Sequence, residues 1–68
     1  MNDEALNMSI RKFLKHVGVH SQREIEAAVQ RALASGGVKG TERLRATMTL
    51  RVEGVDLEVK FEDDITLA

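Results

Sequence analysis

At Leu44 the spacing of apolar residues changes from three or four to two, and that change of period constrains the chain more than any other feature. Before it, Leu6, Ile10, Phe13, Leu14 and Val17, then Ile25, Ala28, Val29, Ala32 and Leu33, recur at the spacing that places residues on one face of an α-helix. After it, Leu44, Ala46, Met48, Leu50 and Val52 alternate with Arg45, Thr47, Thr49, Arg51 and Glu53. Val55, Leu57, Val59 and Phe61 then alternate with Asp56, Glu58, Lys60 and Glu62. Such alternation marks half-buried strands. Elements that each carry one apolar face bury those faces against one another, which predicts an α+β domain of order ααββ. Two N-terminal helices, at about residues 3–17 and 21–35, are expected to pack on one face of a C-terminal antiparallel hairpin with strands at about 44–53 and 55–62, all within one small domain, 1–68.

The division into two helices rests on the stretch Val17 to Ile25. Gly18 suits the left-handed position after a helix, with Val19 placed to pack on Leu14. Ser21 followed by Glu24 has the form of a capping box, which would start the second helix. Asn2 or Asp3 can cap the first. Ser35-Gly36-Gly37 ends the second, with Gly37 in the left-handed position and Val38 packing on Leu33, and Val38 to Glu42 reads as a flexible linker.

A short loop at Glu53-Gly54 would pair Val52 with Val55, Leu50 with Leu57, Met48 with Val59 and Ala46 with Phe61 on one face. The other face then sets Arg51 opposite Asp56 and Arg45 opposite Glu62, with no like-charge clash. Asp63-Asp64 breaks the alternation, leaving Ile65-Thr66-Leu67 open between a short third strand and an extension of the second past a bulge. The expected core is Leu6, Ile10, Phe13, Leu14, Val17, Ile25, Val29, Leu33, Leu50, Leu57, Val59 and Phe61.

A chain of 68 residues buries a smaller share of its surface than a larger domain does, about 60%, and without cysteine it has neither disulfides nor thiolate metal sites to help. A well-packed core or oligomerisation remains. The acidic start Met1-Asn2-Asp3-Glu4 and the short apolar runs indicate no signal peptide and no membrane span, so cytoplasmic residence is the default expectation. The formal net charge of −1 is unevenly spread. Residues 1–40 balance to +2 (Arg11, Lys12, Lys15, Arg23, Arg31 and Lys39 against Asp3, Glu4, Glu24 and Glu26), and residues 41–68 to −3.

The runs Asn7-Met8-Ser9-Ile10-Arg11-Lys12-Phe13-Leu14-Lys15, Val17-Gly18-Val19 and Ser21-Gln22-Arg23-Glu24-Ile25-Glu26 resemble an uncharacterised family of short bacterial proteins with no assigned function. The resemblance covers nearly the whole chain and rests on its N-terminal half. It implies a stand-alone bacterial protein and carries over no functional residues.

Four kinds of chemistry can be weighed. A helix, a turn, a capped helix and a hairpin have the outline of a helix-turn-helix with a wing. Against it, the step from Gly18 to Ile25 is one residue longer than usual, Glu24 and Glu26 would face phosphates, and the hairpin is acidic. Second, Arg11, Lys12 and Lys15, beside His16, form a basic strip without acidic partners one turn away. Such a strip either meets an acidic partner or merely complements the helix dipole. Third, His16 and His20 are four apart, but a break at Gly18 would separate their faces, and Glu62, Asp63 and Asp64 lack the spacing of a calcium loop. Fourth, no catalytic motif and no cofactor motif is present, and Ser21 is accounted for by capping. Met8 lies off the apolar stripe; a single exposed apolar residue is ordinary, though together with an open strand edge it is compatible with a dimer face.

The function expected is a small non-enzymatic protein-interaction module with an unknown protein partner or itself, a homodimer through an open strand edge being one form. The candidate surface is Arg11, Lys12, Lys15, His20, Gln22 and Arg23. The alternative is a weak nucleic-acid binder using the helix-turn-helix-like corner and the basic strip.

Overall fold

A computed structural model describes residues Met1–Ala68. One helix, α1 (Asp3–Ser35), is followed by two antiparallel strands, β1 (Arg43–Val52) and β2 (Leu57–Thr66), so the class is α+β with one helix where two were expected. The chain divides into two compact units, Met1–Gly37 and Val38–Ala68.

In the first unit the helix runs for 33 residues through Gly18, Ser21 and Glu24. The expected corner does not form. Glycine in a helix interior costs about 1 kcal/mol relative to alanine. Stopping there would sacrifice about a turn of backbone hydrogen bonds and require a second nucleation. Nothing forces the stop, since the chain contains no proline. The ends are capped as local chemistry dictates. Asn2 precedes the helix with extended backbone, and its Oδ1 accepts from the Ala5 N–H at 3.1 Å. At the other end Gly36, not Gly37, is left-handed (φ 79°). Its N–H donates to the Leu33 carbonyl and that of Gly37 to the Ala32 carbonyl (2.8 Å), the paired bonds of a Schellman ending. With the ending one residue earlier than expected, Gly37 rather than Val38 follows the left-handed residue.

In the second unit the strands pair from Arg43↔Thr66 to Val52↔Leu57. The apolar faces are as expected, but the register is displaced by two residues: Leu50 meets Val59 and Met48 meets Phe61. A shift of two leaves every side chain on its own face, so alternation cannot distinguish the two registers. The observed one matches Leu44 with Ile65 and sets the small Ala46 opposite Asp63, the one acid on that face. It also places Arg51 against Glu58 (2.7 Å) and Arg45 between Glu62 (2.8 Å) and Asp64 (3.3 Å). β2 continues through Asp63-Asp64 to Thr66, so there is neither a third strand nor a bulge. Glu53-Gly54-Val55-Asp56 forms the turn, with Asp56 left-handed (φ 53°), a conformation aspartate tolerates better than most residues.

Ahead of β1, the segment read as a flexible linker has a definite arrangement. The Glu42 carboxylate accepts from three successive backbone N–H groups: Lys39 (2.7 Å), Gly40 (2.9 Å) and Thr41 (3.1 Å). Gly40, at φ 101°, supplies the turn that lets them converge.

The expected core is not found. No residue of the chain is buried; Phe13 is 48% and Phe61 56% exposed. A single helix and a two-stranded sheet each have one apolar face, and neither unit contains a second layer to cover it. No helix is long and apolar enough to cross a membrane.

Candidate interaction site

Running α1 through Gly18 changes what the candidate residues can do, because they now share one rigid element. At about 100° per residue, Arg11, Lys15 and Gln22 fall along one line of the helix, and Lys12 and Arg23 along the neighbouring line. His20 lies further round. It sits on the flank of Leu6 and Val17, whereas the other five are on the side away from that stripe, and from Arg11 to Arg23 they span about 18 Å of helix.

The cations are the informative part. Arg11, Lys12, Lys15 and Arg23 make no ion pair; the ion pairs of the molecule are in the hairpin. Nor do the first three complement a helix end, because α1 continues to Ser35, and its last turn holds no basic residue. The dipole effect fades within a turn of the terminus. The local explanation for this strip therefore lapses.

Gln22 and His20, by contrast, have partners that the sequence reading missed. Gln22 Nε2 donates to Glu26 Oε1 at 2.9 Å, an i, i+4 pair available once the helix is known to be continuous. The rings of His16 and His20 lie 4.4 Å apart, tilted by 33°. The supposed break between them does not exist, so they do share a face. A third ligand is still missing, as no group of three His, Cys, Asp or Glu is placed to hold a metal ion. Shallow grooves run along the first turns of α1, one lined by Asp3, Leu6, Asn7 and Ile10 and another by Met8 and Arg11 with their neighbours. The outline of a helix-turn-helix disappears with the corner.

Glu42 is the clearest electrostatic feature. Its pKa is lowered, first by the Lys39 N–H, with smaller help from its own N–H and those of Gly40 and Thr41, against the opposing effect of desolvation. The signal for this in the sequence is a glycine two residues before an acid, in a segment with no helical or strand period.

Helix, hairpin and surface together define a small α+β protein whose chemistry lies on exposed faces. The chain belongs to the family of unknown function DUF6494, which it matches over residues 1–68. This accords with the resemblance carried by Asn7–Lys15 and Ser21–Glu26. No curated protein and no solved structure matches the chain.

Proposed function

We propose that this chain is a non-enzymatic protein-interaction module of the bacterial cytoplasm, whose apolar faces are covered by a protein partner, a second copy included. One observation carries the reading. No residue is buried, while large apolar side chains stand exposed on both units, Phe13 and Leu14 on α1 and Met48, Val59 and Phe61 on the hairpin. Apolar faces left open in this way mark contact sites. The outer edges of β1 and β2 are unpaired, which offers a place for strand addition. The strip Arg11, Lys12, Lys15 and Arg23, with Gln22 among them and His20 between the strip and the apolar stripe, adds a cationic face suited to an acidic partner surface.

Photo-crosslinking in the native cell tests this reading. A photoreactive residue in place of Phe13 or Phe61 is expected to give covalent adducts with protein, whereas the same residue at the exposed turn position Val55 gives few. If neither Phe13 nor Phe61 yields a protein adduct, the reading is wrong.

A further inference from the structure

The apolar stripe of α1 has an order that becomes visible when the offsets are counted straight through Gly18. Its centre line, which takes in the polar Ser21 and leaves Leu14, Val29 and Leu33 on one flank, runs Leu6, Ile10, Phe13, Val17, Ser21, Ile25, Ala28 and Ala32 at gaps of 4, 3, 4, 4, 4, 3 and 4. Residues 11 apart (Leu6, Val17, Ala28; Ile10, Ser21, Ala32) drift only about 20° round a helix, so the stripe stays on one face for its whole length. The gaps also read the same from both ends, with their centre at Val19. A surface of that kind meets a reversed copy of itself in register, as a twofold interface requires.

We infer that α1 pairs with α1 of a second copy, antiparallel, through this stripe. The inference rests on the interaction-module reading and commits the helical face to one occupant. In the reversed pairing Leu6 meets Ala32, Ile10 meets Ala28, Phe13 meets Ile25 and Val17 meets Ser21. Leu6, Ile10 and Val17 of the N-terminal half thus face the smaller Ala32, Ala28 and Ser21 of the C-terminal half, while Phe13 meets Ile25 near the middle. A parallel pairing would stack Leu6 on Leu6 and Ala32 on Ala32, wide at one end and close at the other.

In the reversed pairing the helix dipoles are opposed as well. The stability of a helix comes chiefly from covering its apolar face, and nothing in the unit Met1–Gly37 covers this one.

The absence of cysteine makes the arrangement directly testable with the full chain. Sedimentation of the purified protein across a roughly hundred-fold concentration range is expected to pass from monomer to dimer. Ile10→Asp should abolish the dimer and Met8→Asp, on the far side of the helix, should leave it. A mixture of Leu6→Cys and Ala32→Cys chains should oxidise to a mixed disulfide dimer, and Leu6→Cys alone should not, since a disulfide needs its Cα atoms within about 7 Å. A disulfide of Leu6→Cys with itself would overturn the antiparallel order, and a dimer that survives Ile10→Asp would overturn the stripe. A monomer at every concentration would overturn the pairing altogether. If protein adducts at Phe13 still form in cells, that last result removes the self-pairing and leaves the interaction module standing.

Discussion

Glu42 shows how much one exposed side chain can organise. Its carboxylate gathers the N–H groups of Lys39, Gly40 and Thr41 immediately before β1, and its own carbonyl accepts from the Leu67 N–H (3.0 Å), extending the strand ladder by a step. A carboxyl group whose pKa is depressed in the folded state contributes fully above its ordinary pKa, and loses that contribution as pH falls through the lowered value. The loop should therefore be intact at neutral pH and loosen only in acid. In an NMR titration the amide signals of residues 39–41 are expected to move together, with a midpoint below the ordinary glutamate value. Independent midpoints, or one at the ordinary value, would show that the carboxylate is not held. The sequence alone suggests looseness here, because Gly40 is visible in it and the convergence of three backbone N–H groups on Glu42 is not.

At the scale of elements, what was legible is what periodicity encodes. Helical and strand segments, the apolar and polar faces of the hairpin, and the Asn2 cap all follow from spacing and side-chain chemistry. What was not legible depends on comparing two arrangements of the same local signals. The two hairpin registers keep identical faces, and are separated by Leu44 against Ile65 and by the carboxylates that reach Arg45 and Arg51. Gly18 and Ser21-x-x-Glu24 are adequate stop and start signals, yet they are outweighed by the continuity of the helix on either side. A break there would also separate His16 from His20 and set a helix end beside the basic strip, whereas the helix ends twenty residues beyond Lys15, at Ser35. The sign of one substitution distinguishes corner from helix. Gly18→Ala should stabilise a continuous helix by about 1 kcal/mol, and circular dichroism would register the gain. In a left-handed corner the same change would cost about as much. An added Cβ at Gly18 meets nothing within 4 Å, so no steric clash obscures the outcome.

For the whole molecule, the absence of any buried residue is the dominant fact. Stability that comes from contacts between chains depends on concentration, because association favours the folded form by mass action. The thermal midpoint of the purified protein is expected to rise measurably with each tenfold increase in concentration, and Ile10→Asp should flatten that dependence. A midpoint independent of concentration in the parent protein would mean that each chain holds itself together unaided. The candidate surface is legible at this scale to a limited degree: its residue types were evident in the sequence, but their alignment along one element was not.

The locality of the contacts also has a kinetic consequence. α1 is closed by hydrogen bonds four residues long and the hairpin by a four-residue turn, so neither unit waits for distant parts of the chain to meet. Helices of this kind form within about a microsecond and hairpins within about ten. Encounter between chains is far slower at cellular concentrations. In the proposed pairing of two copies, the time to reach the paired state is set by how often copies collide, and doubling the protein's abundance should halve that time.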